Sequence, residues 1–131
     1  MFAAMRTDRM QAVHLFVDEA TGLEAVIAIH NTRLGPALGG CRYMPYASTE
    51  LAVADAIRLA RGMSYKAALA GLEQGGGKAV IIRPAHVPNR AALFEAFGRC
   101  IESLRGGYIT AVDSGTSPED MDCIAQQTGH V

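Results

Sequence analysis

Two lysines and one aspartate are the residues whose types and spacing best suit chemistry. Of the twelve basic residues only Lys66 and Lys78 are lysine, and they flank a glycine-rich stretch. Lysine, unlike arginine, can act as a base when it is desolvated or placed beside another charge. Asp113 follows an apolar run typical of a strand. The three side chains suit a small carboxylate whose neighbouring carbon exchanges an amine for a carbonyl. One ammonium pairs with the carboxylate, the second lysine polarises the carbonyl or the attacking water, and the aspartate moves protons on and off nitrogen.

Each of these residues also has an ordinary structural interpretation. Most lysines lie on the surface. Asp113 precedes a serine and a glycine, so its side chain could simply cap a turn. The three consecutive glycines at 75–77 could form a flexible turn or let the backbone approach a ligand closely. Both interpretations remain open from the residues alone.

The glycine run before Lys78 does not match a nucleotide-binding fingerprint. A phosphate-binding loop needs glycine six residues before the lysine, where Leu72 stands, and serine or threonine after it, where Ala79 stands. The predicted order here is also helix, loop, strand rather than strand, loop, helix. A dinucleotide motif fails at Val80, which occupies the place of its third glycine. The sequence therefore predicts no nucleotide site built from these residues.

Composition restricts the class of protein. The chain has 131 residues and a net charge of −1, which suits one domain and gives no electrostatic reason to expect a nucleic-acid partner. No apolar run is long enough to span a membrane, and the N-terminus lacks a signal-peptide core. The three cysteines are widely spaced and the four histidines have no ligand spacing. We therefore expect a cytoplasmic protein without a metal site or membrane partner.

The elements that would position these residues alternate along the chain. Residues 12–31 predict a β-hairpin, and the glycine-rich residues 31–42 predict a loop. A long helix begins after Ser48, and Lys66 continues its apolar stripe, so that lysine must extend to solvent or meet an anion. The glycines at 75–77 then predict a turn that leads into a strand beginning at Lys78.

The second half of the chain repeats this alternation. The strand that begins at Lys78 is followed by a helix starting near Asn89, a strand at 108–112, and a helix whose start is marked by Ser117 and the proline after it. Alternating strands and helices favour an α/β fold with an at least partly parallel sheet. In such sheets, ligands bind beyond the carboxyl ends of the strands, where Asp113 lies.

Three segments, at 29–42, 62–82 and 110–116, resemble the Glu/Leu/Phe/Val dehydrogenases, with the leucine and phenylalanine branch most similar. The resemblance covers nearly the whole chain from about residue 12 and places it in the N-terminal, substrate-binding and dimerisation domain of those enzymes. It implies a three-layer α/β/α fold with a mostly parallel sheet and an N-terminal antiparallel hairpin. It also implies oxidative deamination of an L-amino acid to a 2-oxo acid and ammonia, with NAD as cofactor and a homo-oligomeric assembly.

The resemblance assigns roles residue by residue. Lys66 would hold the substrate carboxylate, helped by the backbone of Gly39 and Gly40. Lys78 would be the catalytic lysine that activates water and polarises the carbonyl. Asp113 would be the acid that transfers protons.

Four further residues receive supporting roles from the same resemblance. Thr116 would support the turn behind the aspartate, and Met63 and Ala111 would border the substrate. Leu38 stands where glutamate-using members carry a lysine that neutralises the substrate side chain. A leucine cannot pair with that carboxylate, and an unpaired charge in a pocket is costly. The resemblance therefore implies an apolar substrate of the leucine, valine or phenylalanine type.

Two features depart from the family pattern. Ser114 stands where the branch usually has an apolar residue, and the chain ends at Val131, where the NAD-binding Rossmann domain would begin. Residues 1–131 are thus expected to be the substrate domain alone, inactive by itself, with NAD bound mainly by a domain absent from this chain. The alternatives are a non-catalytic module that dimerises or binds amino acids, and a Schiff-base enzyme built on Lys78.

Overall fold

A computed structural model describes all residues from Met1 to Val131. The elements, in chain order, are α1 (Phe2–Thr7), β1 (Ala12–Asp18), β2 (Leu23–Ile29), β3 (Ala37–Met44), α2 (Thr49–Leu69), β4 (Gly75–Ile82), α3 (Arg90–Glu102), β5 (Tyr108–Val112) and α4 (Pro118–Ala125). None of the helices combines the length and hydrophobicity that crossing a bilayer requires.

The five strands form one mixed sheet in the order β1-β2-β4-β3-β5. The hairpin strands β1 and β2 are antiparallel, and β2 also pairs antiparallel with β4. Strands β4, β3 and β5 run parallel to one another. Helix α2 covers one face of the sheet, with Val53, Ile57 and neighbouring alanines buried against it. Helices α3 and α4 cover the other face through a larger cluster that includes Phe94 and Phe97. The α/β fold and its three layers are confirmed.

Local capping signals placed three helices correctly. The hydroxyl of Ser48 accepts a hydrogen bond from the N–H of Leu51, and the Asn89 amide oxygen accepts one from the N–H of Ala92. At α4, Ser117 and Asp120 form a complete capping box. Each cap satisfies backbone donors that the first helical turn leaves free, so the signal is local to the sequence.

Two predicted irregular segments are instead regular strands. The segment predicted as a loop contains β3, and the predicted glycine turn at 75–77 is the first part of β4, so Lys78 is the fourth residue of its strand rather than the first. A Cβ on Gly39 would lie 1.6 Å from the carbonyl oxygen of Gly77, and one on Gly75 would lie 1.7 Å from that of Asn31. These glycines are needed because neighbouring backbones approach one another too closely for any side chain.

Candidate active site

Lys78 and Asp113 form an ion pair between the middle of β4 and the end of β5. Lys78 is 7% exposed, and Asp113 is half-buried. A buried ammonium is costly unless an opposite charge compensates it, and Asp113 supplies that charge. The structure therefore brings two of the three predicted chemical groups together.

Both members of the pair lie on the sheet face that carries α2. A Cβ on Gly76 would point at Ala60 and Ser64 of α2, and side chains two residues apart along a strand share a face, so Lys78 lies on that face too. A Cβ on Gly40 would lie 2.7 Å from the Cβ of Asp113. Gly40 is thus a buried, closely packed position directly beside the carboxylate, with no room for a side chain.

The remaining sheet positions of the site continue this face. Ala111 is the register partner of Gly40, and Leu38 pairs with Ile109. Both Leu38 and Ala111 are half-buried. Helix α2 packs chiefly on β4 and β2, so it leaves the part of this face formed by β3 and β5 without a covering helix. This part of the sheet face carries the apolar side chain of Leu38, the glycine at position 40 and the Lys78–Asp113 ion pair.

The turn after β5 fixes the carboxylate. The backbone N–H of Asp113 donates to Thr116 Oγ1 over 2.9 Å, and the Thr116 hydroxyl lies 3.0 Å from the carbonyl oxygens of Asp113 and Cys41. The N–H of Ser114 donates to Asp113 Oδ1 over 2.7 Å. The other carboxylate oxygen, Oδ2, is shielded from solvent and faces the Lys78 ammonium. Thr116 therefore supports the turn and Asp113 both caps it and faces the lysine.

The electrostatic surroundings keep Asp113 ionised. Burial acts to raise the pKa of Asp113, but the hydrogen bonds from Lys78 and Ser114 and the charges of Lys78 and Arg42 outweigh it, so the pKa lies below its ordinary value of 3.8. Arg42 is itself held by Asp55, 3.2 Å away. The sequence predicts a loop at residues 31–42 and therefore gives no role to Arg42.

Lys66 and Met63 lie in the C-terminal part of α2. Lys66 is exposed and makes no hydrogen bond or ion pair within the chain, while Met63 is half-buried. Of the two alternatives predicted for Lys66, the structure shows the one in which its side chain extends to solvent, although the adjacent Ala67 is buried. An exposed, unpaired ammonium remains available to an anion.

Sequence reasoning also missed the support for the paired glycines. The buried hydroxyl of Tyr108 donates to the carbonyl oxygen of Gly39 over 2.6 Å and lies 3.1 Å from Thr110 Oγ1. Burial raises the pKa of Tyr108 well above its usual value, so the phenol stays a donor. An aromatic residue opening an apolar strand carried no signal for this role, since the bond spans 69 residues.

The largest cavity lies elsewhere. It has a volume of about 750 Å³ and is lined mainly by polar residues, among them Arg9, Arg33, Arg61 and His30. Neither Lys78 nor Asp113 borders it. The candidate site is therefore separate from this cavity. No cluster of three or more His, Cys, Asp or Glu side chains could hold a metal ion.

Comparison with known proteins gives consistent matches. The family model described as Glu/Leu/Phe/Val dehydrogenase, dimerisation domain, matches residues 7–130. The chain is 53% identical to leucine dehydrogenase from Geobacillus stearothermophilus over 131 residues, which is 100% of this chain and 36% of that protein. It is 56% identical to valine dehydrogenase from Streptomyces virginiae over 117 residues, 89% of this chain and 33% of that protein.

Solved structures agree with the sequence matches. The crystal structure of L-tryptophan dehydrogenase from Nostoc punctiforme superposes with a TM-score of 0.93 at 42% identity, covering 99% of this chain and 38% of that one. A hetero-hexameric glutamate dehydrogenase from Thermus thermophilus has the same fold, with a TM-score of 0.74 at 20% identity over 96% of this chain and 35% of that one. The chain spans about a third of the length of the relatives that it matches.

Proposed function

The chain belongs to the Glu/Leu/Phe/Val dehydrogenase family, and from this premise we propose that it is the substrate-binding domain of an NAD-dependent amino-acid dehydrogenase. The reaction is oxidative deamination of an apolar L-amino acid to the 2-oxo acid and ammonia. The observation that carries the proposal is the ion pair between buried Lys78 and half-buried Asp113, packed directly against Gly40. Such a pair offers a proton donor and a proton acceptor in one place.

Each predicted residue has a role that its position supports. Lys66, exposed and unpaired on the last turn of α2, binds the substrate carboxylate together with the Gly39–Gly40 backbone. Lys78 activates the attacking water and polarises the carbonyl group that forms. Asp113, ionised and facing Lys78, takes and returns the proton on the substrate nitrogen. Met63 and Ala111 border the substrate.

The glycine run at 75–77 does not offer free backbone amides to a dinucleotide. The N–H of Gly75 donates to the Pro36 carbonyl and that of Gly76 donates to Ser64 Oγ, so the amides of the glycine run are not free to hold phosphates. NAD, which accepts the hydride in such a reaction, would therefore be bound mainly by residues outside this chain. The roles of the residues in this chain do not depend on where NAD lies.

The decisive test is activity of the complete open reading frame that contains residues 1–131. We expect NAD reduction with L-leucine, L-valine or L-phenylalanine, and a loss of about 100- to 10,000-fold in kcat for Lys78→Met, the range that general acid–base groups contribute. Arg58→Gln, on the solvent face of α2, is the control and should retain full activity. Activity that survives Lys78→Met would remove the assigned role.

Leu38 supports an apolar substrate. It lies on the same face as Gly40 and brings no charge that could pair with a second carboxylate. Leu38→Lys should therefore lower kcat/KM for L-leucine and raise it for L-glutamate, each by about tenfold or more, because it exchanges an apolar contact for an ion pair. An unchanged ratio of the two specificities would show that Leu38 does not border the substrate side chain.

Self-association is the second part of the proposal. The matched family model describes a dimerisation domain. Strand β1 is an edge strand that pairs only with β2, and it exposes Leu15 (52%) and Val17 (72%). An uncovered edge with apolar side chains favours pairing with another chain. Sedimentation of the Leu15→Lys/Val17→Lys variant should show smaller particles than the parent protein, and unchanged sedimentation would place the interface elsewhere.

The unpaired thiols fit the expected cytoplasmic location.

A further inference from the structure

Helix α2 meets strand β4 at one point of unusually close approach. A Cβ on Gly76 would lie 2.3 Å from the Ala60 carbonyl oxygen and 2.3 Å from the Ser64 nitrogen. At this point the backbone N–H of Gly76 donates to Ser64 Oγ over 2.8 Å. The hydroxyl thus satisfies a buried strand amide that its neighbouring strands leave free, which ties the helix to the strand.

The same hydroxyl is held from the other side by His30. The Nδ1 atom of His30 lies 2.8 Å from Ser64 Oγ, and Nε2 lies 3.1 Å from the carbonyl oxygen of Asp8. A carbonyl can only accept, so Nε2 carries the hydrogen and Nδ1 of the neutral ring accepts. The Asn31 amide also donates to Nδ1, over 3.1 Å. Donation therefore runs in one direction, from Gly76 N–H to Ser64 and from the Ser64 hydroxyl to His30.

This arrangement requires a neutral imidazole. Burial lowers the pKa of His30 below its ordinary value of 6.5, and the charges of Arg61 and Arg33 act in the same direction. The hydrogen bond to the Asp8 carbonyl and the Asp8 charge oppose them without prevailing. Protonation would turn Nδ1 into a donor that faces the Ser64 hydroxyl and the Asn31 amide, so the serine would lose its acceptor.

Few buried side chains fix the end of α2 after Ser64. After Ser64, Ala67 is the only buried residue of the helix, and Tyr65, Lys66 and Leu69 are exposed. Lys78 stands two residues beyond Gly76 on the same face of β4. The position of Lys66 relative to Lys78 is therefore set largely where the serine meets the strand.

We propose that Ser64 and His30 are positioning residues, which hold the last turn of α2 so that Lys66 reaches the carboxylate of a substrate whose α-carbon faces Lys78. The proposal rests on the proposed function and adds to it the geometric link between the two lysines. Neither positioning residue touches the reacting atoms. Their effect should therefore fall on substrate binding and leave the chemical step largely unchanged.

The test uses steady-state kinetics of the complete protein with L-leucine. Ser64→Ala and His30→Leu should raise KM about tenfold with kcat within about twofold, equivalent to about 1.4 kcal/mol of binding. Ser64→Thr keeps the hydroxyl and His30→Asn keeps an acceptor near Nδ1, so both should retain a KM close to the parent value. His86→Leu is the control, because His86 is exposed in the loop between β4 and α3 and its side chain has no hydrogen-bond partner.

The pH profile separates positioning from general stability. KM of the parent protein should rise as pH falls through the lowered pKa of His30, below 6.5, whereas KM of His30→Asn should lack that rise. Equal profiles, or a KM increase in His86→Leu as large as in His30→Leu, would overturn the proposal.

If the complete protein had no dehydrogenase activity, that result would reject the proposed function without testing the positioning role of Ser64 and His30. In that case hydrogen exchange of the Gly76 amide would test the hydrogen bonds that join Gly76, Ser64 and His30. Exchange should be slow in the parent chain and at least about tenfold faster in Ser64→Ala, as expected for loss of a hydrogen bond worth about 1.4 kcal/mol. Slow exchange in Ser64→Ala would show that the serine does not hold the strand, and would also overturn the proposal.

Discussion

Asp113→Asn isolates the contribution of the buried ion pair to stability. Asparagine keeps the shape of the side chain and the acceptor for the Ser114 N–H, but it leaves the Lys78 ammonium, 7% exposed, without a counter-ion. Removing one partner of a fully buried pair costs about 3–5 kcal/mol. The side chains here are 9% exposed for Lys78 and 18% for Asp113, so the pair is not fully buried and we expect a smaller loss, about 2–3 kcal/mol.

The expected loss is large enough to measure by thermal or urea unfolding. For a domain of this size about 2–3 kcal/mol corresponds to a fall in Tm of roughly 10 °C. The double variant Lys78→Met/Asp113→Asn should recover most of that loss, because it removes the charge that the single variant leaves unpaired. Asp122→Asn, at an exposed position of α4, is the control and should unfold like the parent protein.

The pH dependence gives an independent check with a defined sign. The folded-state pKa of Asp113 lies below 3.8, so its ionised form stabilises the fold fully above that value and loses this effect as pH falls through the lower, folded-state pKa. The difference in unfolding free energy between the parent protein and Asp113→Asn should thus be constant near neutral pH and shrink in acid. An unchanged Tm for Asp113→Asn, or a double variant less stable than the single one, would refute the reasoning.

Two further substitutions probe the support of the site. Gly40→Ala places a Cβ 2.7 Å from the Cβ of Asp113, so it should cost about 1–3 kcal/mol and reduce kcat. Gly62→Ala, whose Cβ meets nothing within 4 Å in the interior of α2, should instead be neutral or stabilising by up to about 1 kcal/mol; equal effects of the two changes would contradict the close approach. Tyr108→Phe leaves the Gly39 carbonyl without its 2.6 Å donor and should lower the unfolding free energy by about 1–2 kcal/mol; denaturant unfolding that matches the parent would show that the bond contributes nothing.

The glycines show where sequence reasoning fails. The same residues that predict a turn at 75–77 and a loop before Arg42 lie in regular strands. Glycine lowers strand propensity, so a local reading favours a turn. In the folded chain, Gly39, Gly75 and Gly76 occupy strand positions where other backbone segments approach closer than a Cβ allows. Those segments lie up to 44 residues away in sequence, the distance between Asn31 and Gly75, so no local sequence pattern indicates the close approach.

The candidate site likewise has residues that the sequence identifies and a residue whose exposure it does not predict. The lysine count, the strand before Asp113 and the motifs that resemble a known family identified Lys78 and Asp113 as candidates, and the structure pairs them. Sequence spacing placed Lys66 on an apolar stripe, yet it is exposed. Helical periodicity gives the direction of a side chain around the helix axis. It does not give how far the neighbouring strands extend along the helix.

The sequence by itself determined the features whose physical cause is local. These are the hairpin at 12–29, the caps at Ser48, Asn89 and Ser117, and the alternation of helices and strands that defines the α/β class. Tertiary structure alone decided that β3 lies between β4 and β5, which closes Gly40 against Asp113, and that Ser64 joins α2 to β4. Caps and periodicity depend on neighbours a few residues away, whereas strand order and close backbone contact depend on which distant segments pack together to bury the core.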